Sequence, residues 1–160
     1  MKEISLTQGQ FALVDDADYD ELSKYKWYAN KESGSFYATR NFPLGNGKQY
    51  PIRMHRQILG LEKGDKRQGD HINHNTLDNR RNNIRICIGQ QNMMNQMPNR
   101  NTTSRFKGVS WHKQDKKWQV RIGINKKVKY LGSFVMEEVA ALAYDMVAIR
   151  EHGEFACLNF

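Results

Sequence analysis

The stretch GDHINHNTLDNRRNNIRICIGQQN, residues 69–92, packs two histidines, two aspartates and six asparagines into 24 residues. Asparagine is a poor former of helix and strand, because its amide competes with the backbone for hydrogen bonds. A segment that only had to turn the chain would mix in Gly, Ser and Pro. The stretch reads as a strand over about 68–73, a long loop, a short strand in NIRIC (83–87), and a helix over about 89–97. Pro98 stops that helix.

Its residue types suit one kind of chemistry. A hard divalent cation takes oxygen ligands and keeps several waters. One aspartate and one amide oxygen make a minimal pair for it, with phosphate oxygens completing the shell. A histidine titrating near neutrality can take a proton from water. Asp70 and His71 are adjacent on the first strand, so their side chains point to opposite sides. One can face the metal and the other the water, and Asn92 falls early on the following helix, within reach of that metal. An activated water and a cation on the leaving oxygen are what phosphodiester hydrolysis requires.

The same residues resemble the HNH endonuclease motif in its phage and intron homing form. The matching core is Asp70-His71, Asn83 in RNNI and Asn92 in GQQN, at steps of 12 and 9 residues. MHRQILG (54–60) resembles the helix that often precedes the motif, and the resemblance covers about 50–98. It implies a ββα-metal fold, with His71 as general base and Asp70 and Asn92 binding one divalent metal. Asn83 would brace the loop and orient His71. The third position is Asn92 where many members carry histidine, which favours Mg²⁺ or Mn²⁺ and disfavours zinc. His74 has no slot in the motif and is assigned a loop or phosphate role. Asn73, Asn75, Asp78 and Asn79 read as turn formers. Arg80, Arg81 and Arg85 either hold phosphates or solvate the loop, and His55 reads as a structural hydrogen-bonding residue. Met93, Met94 and Met97 read as helix packing.

Outward from this stretch, charge is uneven. The chain of 160 residues carries a formal net charge of +8 and a pI near 9.5, which calls for an anionic partner. Residues 79–130 contain thirteen Lys or Arg and one acid, Asp115, interleaved with Phe106, Trp111, Trp118 and Tyr130. Cations among aromatics suit nucleic acid. Cys87 and Cys157 are isolated, so a thiolate zinc site is disfavoured and a reducing compartment is indicated. No apolar run nears the roughly 20 residues of a membrane span, and the first residues lack a signal-peptide core.

An apolar share of 39% suits two small units better than one large core. Residues 1 to about 55 read as mostly strands, with a short helix in DADYDELSKY capped by Asp16 or Asp18, and a hairpin about ESGS. PNRNTTS (98–104) reads as a linker. The expected division is therefore 1–98, a linker at 99–104, and 105–160.

The last segment holds three short alternating runs, FKGVSWHK, KWQVRIGI and KVKYLGSF, with hairpin-sized gaps. They predict an antiparallel meander, followed by a helix over 136–152 with Val139, Leu142, Ala143 and Val147 on one stripe and with alanines at 140, 141, 143 and 148 that let it lie close to a sheet. Alternation turns Trp118, Val120 and Ile122 toward the helix, and Gln119, Arg121, Lys107 and Tyr130 outward.

FKGVSW (106–111), KWQVRI (117–122), YLGSF (130–134), EEVAALAYDMVAIREHG (137–153) and LNF (158–160) resemble the AP2 domain. That resemblance implies DNA binding through the outer sheet face. The candidate DNA contacts are Arg80, Arg81, Lys107, His112, Gln119, Arg121 and Tyr130. Ser110, Gly123 and Val128 replace expected arginines, so the plant target sequence is not carried over.

The expected whole is an α+β chain: a β-rich N-terminal region with a ββα-metal nuclease unit, then an AP2-like three-stranded sheet plus one helix. The expected function is a site-specific DNA endonuclease or nicking enzyme of the HNH homing type. It would act on double-stranded DNA as a monomer or weak dimer, with no membrane partner, in the cytoplasm of a phage-infected bacterial host. The competing readings are a DNA-binding regulator with an inactive nuclease unit, and an RNA-binding protein using the same basic sheet.

Overall fold

Short amphipathic runs broken by turn residues cannot build one large sheet, and the chain makes several small ones. The computed structural model describes residues 1–98 and 102–160, so the middle of the expected linker, 99–101, lies outside the described residues. The chain is mixed α and β, with small antiparallel sheets and four α-helices among the described residues. It divides into two compact units, Met1–Ile88 and Gly89–Phe160.

In the first unit, β1 (Lys2–Ser5) pairs with β2 (Phe11–Val14), and α1 (Asp16–Leu22) follows. The cap of α1 is Asp15, one residue ahead of the expected Asp16 or Asp18. Those two lie in the first turn, where the helix dipole favours acids. Next come the meander β3 (Tyr28–Glu32), β4 (Ser35–Gly45) and β5 (Lys48–Arg53), and the helix α2 (Met54–Ile58). Ser33 and Gly34 turn the first hairpin with positive φ, as a two-residue hairpin turn requires. The unit closes with β6 (Gln68–His71) paired to β7 (Ile84–Cys87). Ala12, Val14, Leu22, Trp27, Met54, Ile58 and Ile84 form its core.

The long loop between β6 and β7 is pinned to that core by β2. Leu13 N donates to Leu77 O and Asn79 N donates to Leu13 O, both at 2.8 Å.

The second unit starts with α3 (Gly89–Met94), which ends earlier than the expected 97. There the carbonyls of Met94 and Gln96 accept from the Lys107 ammonium. The strands β8 (Val109–His112), β9 (Lys117–Ile124) and β10 (Lys127–Phe134) form the meander in the order β10-β9-β8, and α4 (Glu137–His152) covers one face. The predicted stripe of α4 is corrected. Val139 and Leu142 are 43% and 50% exposed, while Ala140, Ala141 and Ala148 are at 0% and Tyr144 at 3%. The helix lies close enough to the sheet that alanine methyl groups fill the contact, as expected of them, and of the predicted stripe Val147 packs against the core while Val139 and Leu142 are turned away.

The chain end is tied in by one buried acid. Asp145 accepts from the backbone N–H of Asn159 and Phe160 and from Asn159 Nδ2, at 2.9–3.1 Å. Asn159 Oδ1 in turn accepts from Lys107 N at 2.7 Å. The separate AYD and LNF segments are thus one hydrogen-bonded contact.

Gly108 shows how tight this unit is. A Cβ there would lie 2.2 Å from Tyr144 Cδ2 and 2.7 Å from the Arg121 carbonyl oxygen, at φ +75°. Gly108→Ala should therefore lower stability by about 2–4 kcal/mol, from overpacking plus left-handed strain, read as a shifted urea midpoint.

Candidate active site

The β6–β7 register sets Asp70 opposite Arg85 and His71 opposite Ile84. Since strand side chains alternate, Asp70 and His71 leave β6 on opposite sides. On one side Asp70 Oδ2 accepts from Arg85 Nε at 2.9 Å, and Arg85 Nη2 lies 2.9 Å from the same oxygen. Asp70 is buried and Arg85 nearly so, and the guanidinium balances the carboxylate's charge.

On the other side the His71 ring is buried, with Nε2 3.5 Å from Asn79 Oδ1. Burial lowers its pKa, against the opposing pull of Asn79, Asp70 and Asp78. The ring is thus held neutral at physiological pH, in the form that accepts a proton. His55 packs against it with ring centroids 4.7 Å apart, and Tyr37 flanks both rings.

The asparagines of the loop are hydrogen-bonding pieces. Asn83 Nδ2 donates to Asp78 O at 2.8 Å, and its Oδ1 accepts from Asn73 N at 3.0 Å. Ile72 N, next to His71, donates to Asn83 O at 2.8 Å. Asn79 Nδ2 donates to Leu77 O at 3.0 Å, which aims its Oδ1 toward His71. Asn73 and Asn75 form Asx turns through Asn75 N and Leu77 N. His74 takes the left-handed turn position, with φ +63°. Asn92 is half-buried on α3, in the second unit.

The loop arginines meet acids. Arg80 grips the buried Asp78 with Nε and Nη2, each at 2.7 Å, and lowers that carboxyl's pKa. Arg81 grips Asp18 the same way at 2.8 and 2.7 Å, and its backbone N–H donates to Asp15. Both guanidinium groups are engaged in holding the loop.

In the second unit the register pairs Tyr130 with Arg121, Ser133 with Gln119 and His112 with Lys117. Val120 and Ile122 are buried beneath α4, so Gln119, Arg121 and Tyr130 share the opposite face. Arg121 Nη2 donates to Gln119 Oε1 at 3.1 Å, and the Tyr130 hydroxyl is 2.7 Å from Ser133 Oγ. One sequence expectation changes here, the outward placement of Lys107. Lys107 precedes β8, and its half-buried ammonium is spent on the Met94 and Gln96 carbonyls rather than displayed on the sheet. His112 closes the β8–β9 turn, its Nδ1 accepting from Asp115 N at 3.3 Å.

Sequence reasoning missed three residues that shape the site: Arg85 on Asp70, Asn79 at His71 and His55 against His71. Pairing the two strands by register would have found Arg85. The other two are fixed by tertiary packing and have no local signal.

The donor that Asp70 supplies to a cation is a carboxylate oxygen. Among the described residues no group of three or more His, Cys, Asp or Glu gathers as a metal cage. A small oxygen donor set suits a hard cation that keeps its waters and takes phosphate oxygens.

Arg85→Ala would leave the Asp70 charge buried without its partner. It should lower stability by about 3–5 kcal/mol in urea unfolding. The double variant Asp70→Asn with Arg85→Ala should lose clearly less than the sum of the two single changes, as a double-mutant cycle would show.

No family profile matches the chain. Among the described residues no helix is long and apolar enough to cross a membrane. An AP2-like ethylene-responsive transcription factor of Arabidopsis thaliana is 48% identical over 57 residues, 34% of this chain and 11% of that protein. A second ethylene-responsive transcription factor of the same plant is 42% identical over 59 residues, 36% of this chain and 14% of that protein. An uncharacterized HNH endonuclease of Acanthamoeba polyphaga mimivirus is 34% identical over 158 residues, 95% of this chain and 76% of that protein. It is not a phage protein, so the expected bacterial host gains no support from it. The near full-length match includes the Asp70–Asn92 stretch, and with it the chain belongs to the HNH endonucleases and carries an AP2-like segment.

Proposed function

We propose that the protein is a metal-dependent endonuclease or nicking enzyme of the homing type, acting on double-stranded DNA. The observation that carries this reading is the split on β6: a buried, charge-balanced carboxylate on one side and a buried neutral imidazole on the other. In this reading β6 and β7 are the hairpin of a ββα-metal unit, with α3 next in sequence. The strands β8–β10 with α4 are the AP2-like DNA-binding domain, and 98–104 joins the two.

Asp70 would offer an oxygen to the divalent ion, and the HNH resemblance adds Asn92 as the second residue that would hold it. When bound, the ion, Mg²⁺ or Mn²⁺ by its oxygen donors, stabilises charge on the phosphate and the leaving oxygen. His71 takes the proton of the attacking water as the phosphorus–oxygen bond to the leaving group breaks. Asn83 keeps the loop beside His71 in place. Arg121, Gln119 and Tyr130 present a cation, an amide and an aromatic hydroxyl to DNA.

Supercoiled plasmid is the direct test. Mg²⁺ or Mn²⁺ should support its conversion to the nicked or linear form, and His71→Ala should abolish that. Binding without conversion at either metal would favour the DNA-binding regulator instead. Asp70→Ala and Asn92→Ala should each lose cleavage yet retain DNA binding in gel-shift titrations; equal loss of binding would make them structural. Arg121→Ala and Tyr130→Ala should weaken DNA binding about tenfold at fixed salt, as loss of a cation or a stacking ring does. Since the His71 pKa is lowered, the proton-accepting form survives as pH falls through the ordinary imidazole range. The acid limb of the cleavage rate should lie below that range.

A further inference from the structure

We infer that His55 is a positioning residue for His71: its ring, seated in the space that Gly69 leaves open, fixes the orientation of the His71 imidazole. The inference rests on the reading of His71 as the general base. Gly69 and His71 lie on the same face of β6, two residues apart. A Cβ on Gly69 would lie 2.4 Å from His55 Cδ2 and 3.1 Å from His55 Nε2, with Leu59 Cδ1 at 3.2 Å. The His55 ring edge therefore lies directly on the strand backbone. From that seat it meets the His71 ring at 4.7 Å between centroids and 75° between planes, an edge-to-face pair.

The surroundings hold His55 still. It follows Met54, which is fully buried in the core at the start of α2, and is itself 3% exposed. Tyr37 flanks both rings, with centroids 6.1 Å from His55 and 6.3 Å from His71. Arg53 stacks on Tyr37 at 4.6 Å and is itself paired with Glu32. Among the described residues no side-chain hydrogen bond holds His55, so the hydrogen-bonding role read from the sequence is replaced by packing. The Asn79 contact to His71, at 3.5 Å, is at the long limit of a hydrogen bond and orients the ring weakly. The packed edge of His55 adds a steric constraint on that ring. A general base must stay within a few tenths of an ångström of its working position.

The test uses the full chain, supercoiled plasmid with Mn²⁺, and long-range ¹H–¹⁵N spectra of the histidine rings. His55→Ala should lower kcat by about tenfold to a hundredfold with KM unchanged, and should shift or broaden the His71 ring signals. His55→Phe, which restores an aromatic edge, should recover most of the rate and the His71 signals. Should His55→Ala not fold, Gly69→Ala applies the same displacement by pressing on the ring, and should give the same loss in kcat and the same change at His71. Wild-type kcat in the folded variants, or loss of kcat with unaltered His71 signals, would overturn the inference. Failure of the underlying reading is distinct: His71→Ala would then cleave as well as wild type.

Discussion

The two-residue period of one short strand organises the candidate site. Because β6 is paired in a fixed register with β7, Asp70 is committed to the Arg85 side and His71 to the His55 side. A slip of one residue would exchange them, burying the carboxylate against two rings and leaving Arg85 without its partner. Buried charge without a partner is costly enough to exclude that register. The same pair that secures the fold therefore separates a charged oxygen donor from a neutral imidazole, the two kinds of group that hydrolysis of a phosphodiester uses.

The asparagine-rich loop serves that separation. It must leave β6, reach β2, and return to β7 with little apolar side chain to pack. It replaces packing with Asx turns and amide–backbone bonds from Asn73, Asn75, Asn79 and Asn83. Asp78 gathers Arg80 and Asn73, and Asp18 gathers Arg81, so positive charge near the site is spent internally. In the second unit, alternation again divides function from stability: Val120 and Ile122 meet α4 while Gln119, Arg121 and Tyr130 face away.

Much of this was legible in the sequence. The β6–loop–β7 order, the hairpin at Ser33-Gly34, the three-stranded meander and α4 follow from turn residues and periodicity, which are local. The adjacency of Asp70 and His71 gave their opposite directions for the same reason. The alanines of α4 gave its close approach to a sheet, and Val147 of the apolar stripe packs there, but Val139 and Leu142 of the same stripe face away. Lys107 was misplaced because its ammonium is captured by carbonyls eleven and thirteen residues earlier. His55 at His71, and Asp145 with Asn159, are contacts between separate elements, and Asn79 reaches His71 across the fold of the loop, so one sequence carries no period for them. The acidic partners of Arg80 and Arg81 had no mark in the local sequence pattern.

The central claim is that His71 supplies the base that activates water. Chemical rescue tests it most directly, by measuring plasmid cleavage by His71→Gly at rising concentrations of free imidazole. The account predicts a nearly inactive variant whose rate climbs with imidazole, while Asp70→Ala stays inactive at every concentration. Cleavage by His71→Gly at the wild-type rate without imidazole would contradict it.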